Sequence, residues 1–330
     1  PSDSRRAAPP ILENMLQHNE LRAYFADGNV VMDAGSATTL EAMGHNLADH
    51  LWSARLLKDD PSAVRDMHLE YLRSGAQIIE TATYQASRMG FIQAGLAESD
   101  ADALLLRGVE LAVEALEIFM HEPDFDATRY GSFGRPLIAA SLGPYGAALA
   151  DGSEYRGHYG VAASVMQAFH IERFAVLADS QADFIAVETM PDLLEAQAVV
   201  DALGFFPTLP VLLSFSCNSE TTLCGSEPWK YAVALAATLP SCIGVGINCT
   251  APEHISGLLA SAAGVAPELP RFVYPNAGRL WDAVARDWIS DGIDVLPDST
   301  VLEWREAGAS VVGGCCGLGA KAVAALANVN

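Results

Sequence analysis

Basic side chains are scarce in this sequence. Its 330 residues include 19 lysines and arginines against 41 aspartates and glutamates, so the formal net charge at pH 7 is −22. Nucleic acids and anionic membrane surfaces are bound through basic patches. The composition therefore argues against both classes of partner, and it mildly favours a cationic small molecule.

Long apolar runs and a secretion signal are also missing. No apolar stretch reaches the roughly 18 residues that a membrane-spanning helix needs. Arg5-Arg6 near the beginning is not followed by an apolar segment of signal-peptide length. The six cysteines are too few to form a disulfide framework in a chain of this size. We therefore expect a cytoplasmic protein with reduced thiols.

The familiar nucleotide-binding and serine-hydrolase signatures do not occur either. Gly131-Ser132-Phe133-Gly134 precedes a predicted strand instead of opening a helix, so it does not match a dinucleotide fingerprint. Short-period repeats and low-complexity tracts are likewise missing from the sequence. The function must therefore be sought in side chains that are distant in sequence.

Short apolar segments rich in β-branched residues alternate with amphipathic ones. Such nearly continuous hydrophobicity is typical of parallel strands that are covered on both faces. The alternation predicts a single-domain (β/α)8 TIM barrel, with a doubly wound open sheet as the alternative. We expect residues 29–330 to form the barrel, and 1–28 to form an N-terminal extension with a leading helix. The predicted strands are 29–33, 76–81, 136–142, 183–188, 211–216, 242–248, 272–275 and 310–314.

Polar and sulfur-bearing residues recur where the predicted strands end. In a barrel these C-terminal ends open at one mouth, where the active sites of this fold lie. The long connections 143–159 and 277–297 also leave from strand ends on that side. The residues that should meet there are Asp33, Tyr84, Gln85, Glu188, Cys249, Asn276, Cys315 and Cys316.

The cysteines at two of these strand ends form the most specific pattern. Cys315 and Cys316 are adjacent and lie between glycines, whereas Cys249 follows another apolar run. Adjacent cysteines suit a normal disulfide badly, but they can direct two thiolates to one soft cation. Catalytic zinc keeps a coordination position open for substrate. We therefore predict a catalytic Zn²⁺ site on Cys249, Cys315 and Cys316; the alternative is that all three are small buried core residues.

Three further features have both a functional and a structural interpretation. Small residues around Gly35, after Asp33, could leave backbone amides open for a ligand carboxylate, although an ordinary βα turn is the simpler interpretation. Glu188 ends a strand and could receive an ammonium group, or make a structural salt bridge or helix cap. Tyr145 and Tyr155 lie in the connection 143–159 and could face an onium cation or merely pack.

Taken together, several segments resemble the homocysteine S-methyltransferase family. The resemblance covers about residues 30–327, nearly the whole chain. It implies a zinc-dependent TIM barrel of methionine biosynthesis that methylates the thiol of L-homocysteine. The segments that carry it are Asp33-Ala34-Gly35 with Thr38 and Glu41, 76–86, 141–146, 187–191, Gly246-Ile247-Asn248-Cys249, 273–278 and Gly313-Gly314-Cys315-Cys316.

The resemblance also implies roles for individual residues. Asp33 and Glu188 would hold the homocysteine ammonium, and amides near Gly35 its carboxylate. The homocysteine sulfur would become the fourth zinc ligand, which keeps it as a thiolate. The other residues placed at the site, as supports or as substrate contacts, are Asn248, Asn276, Tyr145, Glu154 and Tyr155.

The connection 143–159 most resembles the branch of the family that uses S-methylmethionine. S-adenosylmethionine is then expected to be a poorer sulfonium donor. Betaine as the donor and selenocysteine as the acceptor are alternatives on the same fold, and the oligomeric state is left open. Ala34, Thr39 and Gly317 depart from the family pattern.

Two rival interpretations belong to other classes of protein. A zinc hydrolase would hold water at the open position, but no general base is evident beside the three thiolates. A non-enzymatic zinc- or redox-sensing protein would need a partner-binding surface, and neither an interaction tail nor a basic patch is visible in the sequence.

Overall fold

The computed structural model describes residues 16–45, 47, 53–278, 281–282, 287–288 and 292–329. Within these ranges the strands, in chain order, are β1 Val30–Val31, β2 Ile78–Glu80, β3 Leu137–Leu142, β4 Phe184–Met190, β5 Val211–Phe215, β6 Cys242–Asn248, β7 Arg271–Tyr274, β8 Trp281–Asp282, β9 Asp287–Trp288 and β10 Ala309–Val312.

Eight of these strands form one parallel barrel. Their order in the sheet is β1, β10, β7, β6, β5, β4, β3 and β2. A parallel bridge between Met32 and Ile78 joins the two end strands and closes the barrel. This closure confirms the predicted (β/α)8 fold and shows that the open-sheet alternative was wrong. The remaining strands, β8 and β9, pair antiparallel within the connection 277–297, much of which lies outside the described residues.

Helices surround the barrel and connect successive strands. In the described ranges they are α1 His18–Ala26, α2 Ser36–Ala42, α3 Ser53–Asp59, α4 Pro61–Arg73, α5 Arg88–Gln93, α6 Glu98–Met120, α7 Tyr145–Leu149, α8 Ala163–Leu177, α9 Leu193–Leu203, α10 Trp229–Ala236, α11 Ile255–Ser261, α12 Asp298–Glu306 and α13 Ala320–Leu326. None of the described helices is long and apolar enough to span a bilayer. Short 3₁₀ turns occur at Ala127–Phe133, Ser153–Tyr155 and Pro252–His254.

Helix α1 covers the end of the barrel where the strands begin. Leu21 and Phe25 are completely buried, and the Phe25 ring lies 5.9 Å from that of Phe184 and 4.9 Å from that of Phe272. The Arg22 side chain also donates a hydrogen bond to the Cys242 carbonyl at 2.6 Å. The leading helix is therefore a plug for the barrel interior, whereas residues 1–15 of the expected extension lie outside the described residues.

A buried ion pair lies at the same end. Arg135 donates two hydrogen bonds to Asp183, at 2.9 and 2.6 Å, and Asp183 also accepts the Ile138 N–H at 2.8 Å. Both carboxylate oxygens are thus hydrogen-bonded, which is what a buried charge requires. Since Asp183 immediately precedes β4, the pair fixes the entry to that strand.

Candidate metal centre

Three cysteine sulfurs meet at the mouth formed by the strand ends. The Cys249 Sγ lies 3.5 Å from the Cys316 Sγ, and the Cys315 Sγ lies 4.0 Å from it. All three sulfur atoms lie within 4.8 Å of one another. A tetrahedral zinc with bonds of about 2.3 Å places its sulfur ligands about 3.8 Å apart. The sulfur arrangement therefore has the dimensions of a zinc site.

The first sulfur is directed by an unusual backbone conformation. Cys249 follows β6, and its backbone has φ +47°. This is the left-handed region, which residues other than glycine rarely adopt. Its N–H donates to the Tyr274 carbonyl at 3.2 Å, and its own carbonyl accepts the Asn276 side-chain amide at 3.2 Å. Asn276, predicted at the site, thus holds the turn that points Cys249 toward its partners.

The other two sulfurs depend on a close approach of β10 to β1. A Cβ on Gly313 would lie 2.8 Å from the Asp33 carbonyl oxygen, so only glycine fits there. The Cys315 N–H donates to the Pro275 carbonyl, and the Cys316 carbonyl accepts the Ala277 N–H, both at 2.8 Å. These contacts tie the cysteine pair to the residues that follow β7.

Two residues that depart from the family pattern lie against this turn. Ala34 is buried, and a Cβ on Gly314 would lie 2.9 Å from its methyl group. Gly317 has φ +83°, and its N–H donates to the Thr38 hydroxyl at 2.9 Å. Gly317 therefore suits the left-handed turn that follows the cysteine pair.

Glu188 is a buried carboxyl group inside the mouth. One oxygen accepts a short hydrogen bond from the Ser141 hydroxyl, and the other accepts the Asn248 side-chain amide at 3.4 Å. Burial, partly offset by the Ser141 hydroxyl, raises the pKa of Glu188 to about 7. The hydrogen bonds of Glu188 within the described ranges are thus made with a hydroxyl and an amide.

Asn248 holds several strand ends together. Its side-chain oxygen accepts the Thr189 N–H at 2.9 Å and the Ser214 hydroxyl at 2.7 Å, and its amide donates to the Thr189 hydroxyl at 2.7 Å. Asn248 is fully buried and these contacts use both ends of its amide, so it ties the end of β6 to β5 and to the residue that follows Glu188 in β4.

Asp33 and Glu80 bring two more carboxyl groups to the mouth. Asp33 is buried; its Oδ2 accepts the Glu80 N–H at 2.8 Å. Asp33 Oδ1 and Glu80 Oε1 are buried without a hydrogen-bond partner in the described ranges. Burial and the negative charges of neighbouring carboxylates, including Glu188, raise both pKa values well above the usual range. Glu80 was missed from the sequence, although, like Glu188, it lies near the C-terminal end of an apolar strand.

The connection 143–159 covers one side of the mouth. The Tyr155 hydroxyl lies 3.6 Å from the Cys249 Sγ. Glu154 is buried, its Oε2 lacks a partner among the described residues, and burial raises its pKa to about 7. The Tyr145 ring instead packs 5.3 Å from Phe169. The structure therefore brings Tyr155 to the cysteines and places Tyr145 in an aromatic cluster at the edge of the connection.

The backbone at Gly35 is already engaged. Its N–H donates to the Leu318 carbonyl at 3.1 Å, and its carbonyl accepts the Tyr71 hydroxyl at 2.9 Å. A Cβ at this position would lie 2.8 Å from the Cys315 carbonyl oxygen. Gly35 thus lets the β1 turn approach the cysteine pair, and its own amide is not open for a ligand carboxylate.

Comparison with known proteins gives a consistent result. The family model described as homocysteine S-methyltransferase matches residues 30–329. A homocysteine S-methyltransferase of Escherichia coli (strain K12) is 40% identical over 319 residues, covering 94% of this chain and 99% of the relative. A selenocysteine Se-methyltransferase of Brassica oleracea var. italica is 39% identical over 295 residues, covering 88% of this chain and 85% of the relative.

The solved structures include a similar barrel. The crystal structure of the homocysteine methyltransferase MmuM from Escherichia coli in its metallated form has a TM-score of 0.80 and 38% sequence identity, covering 93% of this chain and 98% of that one. Its oxidized form has a TM-score of 0.79 at the same identity and coverage.

Proposed function

The chain belongs to the homocysteine S-methyltransferase family, and from this premise we propose that it moves a methyl group from S-methylmethionine to the thiol of L-homocysteine, giving methionine. The observation that carries the proposal is the convergence of three thiols from two remote segments beside a set of buried carboxyl groups. S-adenosylmethionine is proposed as a poorer donor, and the cytoplasmic location expected from the sequence is part of the same proposal.

The proposed metal ligands are Cys249, Cys315 and Cys316, with Zn²⁺ as the ion. Their sulfur–sulfur distances of 3.5 and 4.0 Å fit zinc–sulfur bonds of about 2.3 Å, and an all-sulfur donor set suits zinc. A metal held by these residues would supply the chemistry that keeps an incoming thiol as its thiolate, a form that is otherwise only a few per cent populated at neutral pH. Three protein thiolates leave the centre with a formal charge of −1, which also attracts a sulfonium donor.

Buried carboxyl groups are proposed to hold the amino end of homocysteine. An ammonium group carries three N–H donors, and Asp33 Oδ1 is a buried acceptor that lacks a partner in the described structure. Glu188 adds a second carboxyl group that the Ser141 hydroxyl orients. Binding a cation there would stabilise the charged carboxylates, whose burial otherwise raises their pKa values. The substrate carboxylate would lie toward amides near Gly35 other than the Gly35 N–H, which the Leu318 carbonyl already accepts.

The connection 143–159 is proposed to receive the methyl donor. Tyr155 exposes 38% of its surface, so its ring can contact a sulfonium group while its hydroxyl lies against the Cys249 sulfur. Glu154 places a further carboxyl group on the same side. These residues would align the donor methyl in line with the acceptor sulfur. No general acid is needed, because the leaving group is a neutral thioether.

Selenocysteine is the second candidate acceptor. It shares the amino-acid ammonium and carboxylate with homocysteine, so the proposed carboxyl site at Asp33 and Glu188 would accept both. A selenocysteine Se-methyltransferase is among the relatives, at 39% identity over 88% of this chain. We therefore propose that selenocysteine is methylated at the same site, with homocysteine as the principal acceptor.

A donor competition assay tests the proposed function. Zinc-loaded protein is incubated with homocysteine and with S-methylmethionine, S-adenosylmethionine or betaine offered separately, and methionine is quantified. We expect turnover to be fastest with S-methylmethionine, slower with S-adenosylmethionine and undetectable with betaine. Methionine formation from betaine alone would contradict the proposed donor, and no methionine from any donor would overturn the proposal.

A further inference from the structure

A buried carboxylate outside the mouth binds both ends of the connection 143–159, called the β3 loop below. Glu195 lies in the first turn of α9 and is completely buried. It accepts the Tyr145 backbone N–H at 2.5 Å and the Tyr159 hydroxyl at 2.7 Å. Because these donors are near the two ends of the loop, a single side chain closes it.

The third contact of Glu195 is made with a buried histidine. His170 Nε2 lies 2.9 Å from the Glu195 carboxylate, and Arg173 Nη2 lies 2.8 Å from His170 Nδ1. Since arginine can only donate, Nδ1 accepts and Nε2 carries the proton toward Glu195. Glu195 therefore accepts three hydrogen bonds, from the Tyr145 N–H, the Tyr159 hydroxyl and His170 Nε2. Arg173 also donates to the Gly143 carbonyl at 2.9 Å, at the beginning of the β3 loop.

A second carboxylate of the same turn fixes the end of the loop. Asp192 caps α9 by accepting the Glu195 N–H at 2.8 Å, and it also accepts the His158 N–H at 2.7 Å. Gly157 has φ +68°, and a Cβ there would lie 2.3 Å from Asp192 Oδ2. The loop thus passes too close to α9 for any residue other than glycine.

The segment between these anchors carries the tyrosine that contacts the metal centre. Tyr155 has 38% of its surface exposed, yet its hydroxyl lies 3.6 Å from the Cys249 Sγ. Its placement therefore depends on the path of the loop backbone. The anchors lie on α8 and α9, outside the barrel mouth, so they do not touch the sulfur atoms.

We propose that Glu195 is a positioning residue that holds Tyr155 over Cys249. The carboxylate acts on the metal centre only through the β3 loop, and it does not contact substrate. The inference rests on the proposed function to the extent that Cys249 is a proposed metal ligand and Tyr155 a proposed donor contact. Loss of the three hydrogen bonds should release the loop, expose Cys249 and misplace the donor.

The test uses Glu195→Gln, Tyr155→Ala and the double variant. Glutamine keeps one acceptor oxygen for the Tyr145 N–H and His170, but it puts an amide N–H where a carboxylate oxygen accepts the Tyr159 hydroxyl. That hydroxyl has to turn round to accept, and all three contacts lose the assistance of a negative charge. The first readout is the rate at which iodoacetamide alkylates Cys249 in the metal-free protein, followed by peptide mass spectrometry. We expect this rate to rise about tenfold in Glu195→Gln and in Tyr155→Ala, and no further in the double variant.

The second readout is steady-state kinetics with zinc-loaded protein. Glu195→Gln should raise the KM for S-methylmethionine about tenfold and change the KM for homocysteine less than about twofold. In the Tyr155→Ala background the same substitution should have no further effect on the donor KM. Additive losses in the double variant would overturn the positioning role, because Glu195 would then act independently of Tyr155.

Two controls keep the outcome decisive. Asp183→Asn removes a comparably buried carboxylate at the opposite end of the barrel; it should lower stability without changing Cys249 alkylation. If Glu195→Gln fails to fold, Tyr159→Phe removes one of the three hydrogen bonds and should shift both readouts in the same direction.

Unchanged Cys249 alkylation in a folded Glu195 or Tyr159 variant overturns the inference. The alkylation result holds even if no methionine is formed, so a failed inference is distinguished from a failed function.

Discussion

The two ends of the barrel differ in whether their buried polar atoms have hydrogen-bond partners. At the end covered by α1, both oxygens of the Asp183 carboxylate are hydrogen-bonded, and the Phe25 ring packs against that of Phe272. At the mouth, Asp33 Oδ1, Glu80 Oε1 and the Tyr274 hydroxyl are buried without partners among the described residues. Unpartnered buried polar atoms lower stability. The mouth therefore offers free buried acceptors and a hydroxyl, whereas the Asp183 carboxylate at the other end has its partners within the protein.

Strand β4 shows the contrast within one element. Its first residue, Phe184, packs under the plug helix, and Glu188 points into the mouth four positions later. Side chains in a strand alternate between two faces, so both residues face the barrel interior. One strand thus supplies a packed ring at its beginning and a buried carboxyl group at the mouth near its end. Substitutions at the two ends should accordingly separate stability from activity.

The largest effect is expected from Cys316→Ala. Loss of one of three sulfurs should abolish stable zinc binding and lower methionine formation by about a thousandfold or more, because the acceptor thiol is no longer deprotonated. Metal content by mass spectrometry and the methionine assay measure both losses. Circular dichroism should still show a folded barrel. A metal-free variant with full activity would refute metal ligation by this residue.

A large effect on stability alone is expected from Phe25→Ala at the plugged end. Removing a completely buried ring should lower the free energy of unfolding by about 3–5 kcal/mol. Denaturant unfolding of the metal-free protein measures the change, and the KM for homocysteine should stay within a factor of about two. A KM shift as large as that of a mouth variant would contradict the separation of the two ends.

A smaller effect is expected from Glu188→Gln, which should raise stability and weaken homocysteine binding. The folded-state pKa of Glu188 is about 7, above its usual value of 4.5, so the native carboxyl group holds its proton better than the unfolded one. Ionisation of the buried Glu188 therefore lowers the free energy of unfolding. This loss of stability is absent below the unfolded pKa, grows as the pH rises toward 7 and is complete above it. The uncharged variant should be more stable than wild type at pH 8, on the order of 1–3 kcal/mol in the metal-free protein.

The same variant should bind homocysteine more weakly, because glutamine carries no charge to balance the ammonium. We expect its homocysteine KM to rise about tenfold with the donor KM unchanged. Thermal unfolding between pH 5 and pH 8 checks the stability difference, which should shrink toward pH 5. Parallel pH profiles for wild type and variant would show that Glu188 does not titrate in this range.

Much of this architecture could be predicted without coordinates. The alternation of apolar and amphipathic segments is a local pattern, and it predicted a barrel that the closing bridge between Met32 and Ile78 confirms. Cys249 and Cys315 follow apolar runs, and parallel strands bring such ends to one mouth. The meeting of the cysteine sulfurs followed from these two facts alone. Their role as zinc ligands stays a proposal, as do the other assigned residue roles and the boundary between residues 28 and 29.

The sequence by itself determined the alternation of apolar strands and helices and the cysteines that follow two of those strands, because these are patterns within each segment. Only the tertiary structure decided what each group does at the mouth. In the folded protein the Gly35 N–H donates to the Leu318 carbonyl, and the Tyr145 ring packs in an aromatic cluster. Glu195 accepts hydrogen bonds from both ends of the β3 loop. Hydrogen-bond partners depend on the path of the connecting loops and on the packing of neighbouring helices. Such contacts join residues far apart in the chain, and no local pattern encodes them.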